Sequence, residues 1–310
     1  MKREELIKRN VLEIIGDLPT KKSPIAYCGY EPSGPLHLGH FVTILKLKDL
    51  QQAGYKIKIL LADIHAFLNR KGDEKQIAKE VLAWKKTIKA IGLKAEVVLG
   101  SSFQFKPEYQ KDVLMLSQES TIQRGLRSMQ QIARDVDHAT ISQLLYPLMQ
   151  VVDIKHLKID VAVGGMEQRK VHMIGKDLKK ILNYDFTALH TPLITSLKGP
   201  GEKMSKSIPG SGISVTDSNN EIEKTIKGAY CPAKIAKENP ILQITELIIF
   251  PLLNKIKIIR PEKFGGNLEF NSYSDLEKTY LQGKLHPLDL KQAVIESLEK
   301  IIAPIRKNFK

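Results

Sequence analysis

Apolar and polar positions in the N-terminal part of the chain switch repeatedly between a helical and a strand period. Glu4–Gly16, with Leu6, Val11, Ile14 and Ile15 on one face, predicts a first helix. Ile25-Ala26-Tyr27-Cys28-Gly29-Tyr30 predicts a strand, and Pro32, Gly34 and Pro35 mark the loop after it. A helix is predicted from about Leu38 to Ala53, stopped by Gly54. The apolar run Ile57–Ala62 has the character of a strand buried on both faces. A helix over Glu74–Ile91 and a strand over Ala95–Leu99 continue the alternation, which is the pattern of a parallel sheet wound with helices.

Residues from about Glu108 to His156 break that pattern and predict three successive helices. The strand period resumes at Ile159–Val163, which runs into Gly164-Gly165 and a further helix. A helical insertion at about 108–156 is therefore expected between two halves of the sheet. A loop rich in Gly, Ser and Pro spans Gly199–Gly212 and predicts a domain boundary. Beyond it, helices are predicted near Asn220–Lys227, Ile241–Phe250, Ser274–Gln282 and Pro287–Arg306, giving a mostly helical C-terminal part.

Composition changes this picture in three ways. Lys and Arg number 48 against 34 Asp and Glu, a net charge of +14. Such an excess favours a polyanionic partner, since each neutralised phosphate releases counterions; a generally lysine-rich surface is the plainer account. The two cysteines, Cys28 and Cys231, make neither a disulfide framework nor a metal cluster, so no metal site is expected. No apolar run approaches the roughly 18–20 residues of a membrane span, and the charged start MKREELIKRN predicts no secretory signal. A cytoplasmic protein with no membrane partner is the expectation.

Two motifs carry candidate chemistry. His37-Leu38-Gly39-His40 follows a predicted strand and opens a helix. A helix N-terminus with two imidazoles and a glycine offers backbone N–H groups, a favourable dipole and close approach to a phosphate. A pair of polar helix caps is the plain alternative, and a metal site lacks a third ligand at a usual spacing. Lys203-Met204-Ser205-Lys206-Ser207 lies in the Gly/Pro loop. Two lysines on a loop can close over a triphosphate and neutralise charge on departing pyrophosphate, although alone such a segment could be a solvated basic linker.

Together and in this order, the H-x-G-H and K-M-S-K-S segments resemble the two ATP motifs of class I aminoacyl-tRNA synthetases. Tyr27-Cys28-Gly29-Tyr30-Glu31-Pro32-Ser33-Gly34 resembles the tyrosine-pocket strand of tyrosyl-tRNA synthetases of the archaeal and eukaryotic type. Tyr146-Pro147-Leu148-Met149-Gln150-Val151-Val152-Asp153 and Val163-Gly164-Gly165-Met166-Glu167-Gln168-Arg169-Lys170 are similar to further segments of that family. So are Ala229-Tyr230-Cys231-Pro232, Arg260-Pro261-Glu262-Lys263-Phe264-Gly265-Gly266 and His286-Pro287-Leu288-Asp289-Leu290-Lys291, and the resemblance covers nearly the whole chain.

The resemblance implies an α/β fold: a Rossmann-like catalytic domain over 1–212, with the insertion at 108–156 and a mobile ATP loop at 199–212. A mostly helical anticodon-binding domain would follow over 213–310. It further implies that tyrosine is activated with ATP to tyrosyl-adenylate and transferred to the 3′-terminal ribose of tRNA(Tyr). ATP with Mg²⁺ would be a substrate, with no prosthetic group, and the enzyme would be a homodimer through the inserted helices.

Residue by residue, the resemblance gives Tyr27 and Asp153 to the substrate phenol, an ionised Asp being acceptor-only. Phenylalanine would leave both unpaired. The standard example of that asymmetry is this same enzyme family, with rejection of about 10⁵-fold. Tyr146, Gln150 and Gln168 would hold the α-ammonium, with His65 and Gln104 lining the pocket. Catalytic donors would be His37, His40, Lys203 and Lys206. The ATP site would add Gly29, Gly39, Gly164, Gly165, Glu167 (on the ribose), Met204, Ser205 and Ser207. For tRNA, Arg127 and Arg169 would approach the first acceptor-stem pair, while Phe264 and His286 stack on an anticodon base and Asp289 accepts from its edge. Many archaeal members carry serine where this chain has Lys206.

Three competing identities follow from the same residues. A tryptophanyl-tRNA synthetase shares the fold, but an indole has one N–H and no phenol for Tyr27 and Asp153. A nucleotidyltransferase also uses H-x-G-H at a helix start, without a helical module after a lysine loop. An inert RNA-binding paralogue would be expected to have lost the His pair or the loop lysines, and both are present.

Overall fold

The computed structural model describes residues 2–130, 140–206 and 208–309. It forms two compact units, the first spanning Met1–Ser33, Lys46–Lys85 and Leu93–Pro192, the second Gly34–Leu45, Lys86–Gly92 and Leu193–Lys310.

The first unit is organised by a six-stranded sheet. Its strands are β1 (Glu13–Ile15), β2 (Ile25–Tyr30), β3 (Lys56–Leu61), β4 (Glu96–Leu99), β5 (Val161–Gly165) and β6 (Thr187–Thr191), in spatial order β1-β6-β5-β2-β3-β4. All neighbours are parallel except β1, which pairs antiparallel with β6. From β2 the chain proceeds to β3 on one side and later returns as β5 on the other. That reversal is the topological switch point of an open α/β sheet, and ligands bind there, beyond the carboxyl ends of the strands. Gly29 and Tyr30 end β2, and Gly164-Gly165 end β5.

The N-terminal helix is shorter than predicted over Glu4–Gly16. α1 (Arg3–Lys8) stops, Asn10 turns the chain at a φ of 52°, and Glu13–Ile15 becomes the edge strand β1. Leu6, Val11, Ile14 and Ile15 are spaced like a helix face, but the free edge of β6 offers a ladder partner, beginning with Leu12 N–H on the His190 carbonyl at 2.9 Å. Gly16, at a φ of +97°, ends the strand. β6 was not expected from sequence either.

The other predicted elements form close to their expected bounds: α2 (Leu38–Gln52), α4 (Glu74–Ile91), and the three inserted helices α5 (Pro107–Gln118), α6 (Ile122–Met129) and α7 (Ile141–His156), with a short α3 (Asp63–Leu68) between β3 and α4. α7 opens with a capping box between Thr140 and Gln143. Its inner face packs against α5 and against α8 (Arg169–Asp177) and α9 (Lys179–Leu182), which follow β5; Tyr109, Val113, Leu148, Val152, Val171 and Ile174 fill that core. A second cluster, with Tyr27, Leu60, Ile154, Ile159, Ala162 and Phe186, lies against the sheet.

The second unit contains α10 (Asn219–Lys227), α11 (Pro240–Ile244), α12 (Phe250–Leu253), α13 (Tyr273–Leu281) and α14 (Pro287–Asn308). α11 and α12 join through a π-helical turn over Thr245–Ile249, so the predicted Ile241–Phe250 helix is one continuous rod of mixed winding. A small hairpin, β7 (Ile256–Ile258) with β8 (Leu268–Phe270), interrupts the helices and was not predicted. Among the described residues no helix is long and apolar enough to cross a membrane.

Candidate active site

The first unit holds a buried polar cluster at the switch point. Tyr27 comes from β2, facing Ala162 of β5 across the ladder. Asp153 comes from the last turns of α7 and is fully buried. Its Oδ1 accepts Gln104 Nε2 at 2.7 Å and the Tyr109 hydroxyl at 2.8 Å. Its Oδ2 has no hydrogen-bond partner, and neither have the Tyr27 hydroxyl, Gln104 Oε1 or His65 Nε2. Buried polar atoms are almost always satisfied. Unpaired atoms on these neighbouring residues, with His65 Nε2 and Asp153 Oδ2 3.7 Å apart, therefore describe a site that can take a ligand bringing both a donor and an acceptor.

Electrostatics agree with this. Burial raises the Asp153 carboxyl from the usual 3.8 to about 7, against the pull of its bonds from Gln104 and Tyr109. Burial, and then the Asp153 charge, push the Tyr27 phenol well above its ordinary value, so it stays a neutral donor. His65 is lowered to about 4 by burial and is neutral near pH 7. Its Nδ1 lies 3.3 Å from Gln104 Nε2, and its ring meets Tyr146 edge-on at 4.5 Å.

The wall beyond is built by α7, β5 and the turn after it. Gln150 Nε2 donates to Gln168 Oε1 at 2.9 Å. The Tyr146 hydroxyl reaches Glu31 Oε2 at 3.4 Å, and Glu31 is held in turn by Asn69 Nδ2 at 3.1 Å. Gly164 is required: a Cβ there would stand 2.8 Å from Gln168 Cβ. Glu167 Oε2 is buried without a partner. At Gly29 a Cβ would come within 3.0 Å of the Tyr27 hydroxyl.

In the second unit the H-x-G-H turn and the lysine loop come together. The His37 and His40 rings stack with centroids 3.7 Å apart. His37 Nδ1 accepts the Gly39 N–H at 3.2 Å, which leaves its proton on Nε2. A side chain at position 39 would strike that ring at 3.0 Å, so glycine lets the imidazole fold back on the helix start. Burial, then the charges of Lys203 and Lys206, lower His37 to about 3. His40 is lowered well below its ordinary value by burial and by His37. Both imidazoles are therefore neutral near pH 7.

The loop is fixed at several points. Met204 is buried, its Cβ within contact of the space over Gly39, and its N–H donates to the Ile194 carbonyl at 2.8 Å. Thr195 and Lys203 form an antiparallel bridge. Lys203 is exposed, while Lys206 Nζ pairs with Asp217 Oδ2 at 2.8 Å. Ser205 is half-buried, and Ser207 lies outside the described residues. Among the described residues no group of three or more His, Cys, Asp or Glu could hold a metal ion.

The residues expected at tRNA are placed as follows. Arg127 is exposed on α6. Arg169 forks onto Glu13, Nε to Oε2 at 2.7 Å and Nη2 to Oε1 at 3.0 Å. Phe264 is 61% exposed, with Lys263 Nζ 5.1 Å from its ring centre. His286 caps α14 by accepting the Leu288 N–H, and Asp289 lies in the first turn. Arg260 ties the two segments, donating to the carbonyls of Gly266 at 2.6 Å and Lys284 at 2.9 Å.

Sequence reasoning missed Tyr109, Glu31, Asn69 and Asp217 as parts of these sites. Glu31 stood inside the Tyr27–Gly34 motif, and its contacts with Tyr146 and Asn69 tie it to the wall of the site. Tyr109 belongs to no motif, and its role follows from α5 packing on α7.

The chain belongs to the class I tRNA synthetases of the W and Y group, whose family profile matches residues 19–303. Members of this family use ATP as a substrate. The chain is 48% identical over 307 residues to the tyrosine–tRNA ligase of Methanocorpusculum labreanum, covering 96% of this chain and 95% of that one. It is 47% identical over 313 residues to the tyrosine–tRNA ligase of Methanocaldococcus jannaschii, covering 98% and 99%. Among solved structures it matches the tyrosyl-tRNA synthetase of Archaeoglobus fulgidus complexed with L-tyrosine, with a TM-score of 0.93, 44% identity and 99% of each chain covered.

Proposed function

We infer that this chain is a tyrosine–tRNA ligase, and the observation that carries the inference is the buried set of unpaired atoms around Asp153. The substrate phenol donates to Asp153 Oδ2 and accepts from the Tyr27 hydroxyl, so one O–H satisfies two of the four unpaired atoms. Tryptophan, the other substrate class of the family, has a single N–H and leaves the Tyr27 hydroxyl unpaired, which is costly in a buried site. The α-ammonium falls to Tyr146, Gln150 and Gln168, with Gln104 and His65 lining the ring.

Activation needs no protein nucleophile. The tyrosine carboxylate attacks the α-phosphorus of ATP, the bond to the β-phosphate oxygen breaks, and pyrophosphate leaves. A ribose hydroxyl at the 3′ end of tRNA(Tyr) then attacks the activated carbonyl and AMP leaves. Mg²⁺ arrives on the ATP phosphates as part of the substrate. The chain supplies positioning and charge: neutral N–H donors from His37 and His40, ammonium groups from Lys203 and Lys206, and backbone N–H groups at the start of α2. ATP is assigned Gly29, Gly164, Gly165 and Glu167 (for the ribose) in the first unit, and Gly39, Met204, Ser205 and Ser207 in the second.

Residues 1–212 would then be the catalytic domain and 213–310 the anticodon-binding domain. Phe264 and His286 stack on an anticodon base and Asp289 accepts from it; Arg127 and Arg169 meet the acceptor stem. The exposed apolar side chains Leu114, Met115, Ile122 and Ile141 of the inserted helices support a homodimer through that region. The setting is the cytoplasm, where charged tRNA is consumed.

ATP–pyrophosphate exchange with each of the twenty amino acids supplied singly tests this reading. Exchange with tyrosine alone supports it; exchange with tryptophan moves the chain to the sister enzyme. Silence with all twenty, from folded protein with Mg²⁺, would leave an RNA-binding paralogue.

A further inference from the structure

Asp217 belongs to neither ATP motif, yet several contacts of the second unit converge on it. Its Oδ2 accepts both Lys206 Nζ at 2.8 Å and the Ser214 N–H at 2.9 Å. Ser214 is bridged to His37. On either side of that bridge, Leu38 N–H donates to the Ile213 carbonyl at 2.9 Å and Val215 N–H to the Leu36 carbonyl at 3.0 Å. The carboxylate that grips Lys206 therefore stands on the segment zipped to the H-x-G-H turn. From the other side Arg306 of α14 donates Nη1 to the Asp217 carbonyl at 2.9 Å, while its Nη2 is held by Glu299.

We propose that Asp217 is a positioning residue for adenylation: it holds the Lys206 ammonium beside the H-x-G-H turn, where pyrophosphate charge develops. This rests on the ligase reading of the site. A lysine carries three donors, so one proton on Asp217 leaves two for phosphate oxygens. Its four-carbon stem is flexible, and an unheld ammonium would sample many positions before meeting the leaving group. The Lys206 side chain is 30% exposed and that of Asp217 11%, so what attraction the partly buried pair gains is offset by desolvation and the pair is weak evidence for stability. What the pair contributes is orientation. His37 is lowered first by burial and then by the charges of Lys203 and Lys206, the second effect agreeing with both ammonium groups standing near the imidazole.

Single-turnover formation of tyrosyl-adenylate, with tyrosine affinity measured separately, tests this in the full chain. Asp217→Asn should slow adenylate formation about tenfold at unchanged tyrosine affinity, and Asp217→Glu should recover part of the loss. Combined with Lys206→Ala, Asp217→Asn should cost nothing further, because its effect runs through that lysine. If Asp217→Asn does not fold, Asp217→Ser, which keeps an acceptor for the Ser214 N–H, takes its place. A wild-type rate in the Asn variant, a faster rate, or losses that multiply with those of Lys206→Ala would each overturn the proposal while leaving the ligase reading intact. A wild-type enzyme silent in pyrophosphate exchange would overturn both.

Discussion

Tyr109 donates to Oδ1 of Asp153 at 2.8 Å, and with Gln104 on the same oxygen it leaves Oδ2 as the one oxygen open to a ligand. The phenol also lies 2.9 Å from the Met149 carbonyl, but a carboxylate is the stronger acceptor for its single proton. Tyr109→Phe removes that bond without opening a cavity. The carboxylate should then turn partly toward Gln104 and ionise at still higher pH, and tyrosine should bind about 5- to 15-fold more weakly. Calorimetric titration with tyrosine checks this; unchanged affinity would mean that Tyr109 only fills space.

Tyrosine binding should depend on pH through Asp153. Its carboxyl sits at about 7 in the free protein because of burial. A phenol donating to Oδ2 needs the ionised form, so affinity should be nearly level above pH 8 and fall about tenfold per unit below pH 7. Stability moves the other way. A carboxyl raised above its unfolded value of 3.8 favours the folded state fully below about pH 4, and that contribution is lost as pH rises through about 7. Titrations in two buffers of different ionisation enthalpy should show release of nearly one proton on binding at pH 6.

Gly164→Ala should damage the ammonium wall. The new Cβ would lie 2.8 Å from Gln168 Cβ, which is fixed by its backbone, and 3.3 Å from Cε1 of the buried His172 ring, which is held against His190. Gln168 must shift away from Gln150, so KM for tyrosine should rise about tenfold, with a stability loss of about 1–3 kcal/mol. Thermal melts beside steady-state exchange separate the two effects.

Lys203→Ala should lower the rate of adenylate formation by roughly 10²–10³ while tyrosine affinity stays constant, the signature of a charge felt only in the transition state. Equal loss in rate and affinity would argue against such a role.

The alternation of strands and helices was readable because β2, β3 and β5 are apolar runs bounded by Gly or Pro. β1 and β6 were not, for physical reasons. Ile14 and Ile15 fit a helix face as well as a strand, and the decision comes from the unpaired edge of β6. β6 itself, Thr187-Ala188-Leu189-His190-Thr191, carries a histidine where a buried strand is expected to be apolar. His190 is tolerated because its Nε2 lies 3.0 Å from His172 Nδ1, and the Glu13 carboxylate stands 3.3 Å from its Nδ1, close enough for attraction but without hydrogen-bond geometry. Of the residues named from sequence, Gln104, His65 and Asp153 lie in one buried cluster, with Gln104 Nε2 2.7 Å from Asp153 Oδ1 and 3.3 Å from His65 Nδ1. Tyr109 and Asp217 were illegible, since each acts through an atom contributed 44 or 11 residues away by an element whose packing no local pattern records.

Tyr27 and its neighbours in β5 are adjacent in space, Tyr27 lying opposite Ala162, and the Ile25 N–H is satisfied by Asp160, 135 residues later in the chain. At about 5–20 residues per second of synthesis, one side of β2 waits roughly seven to thirty seconds for its partner. During that time its ladder groups face water or a chaperone, and the inserted helices can fold locally before the sheet closes over them. The buried polar cluster around Asp153 is therefore a late product of folding in this unit, complete only once β5 has been made.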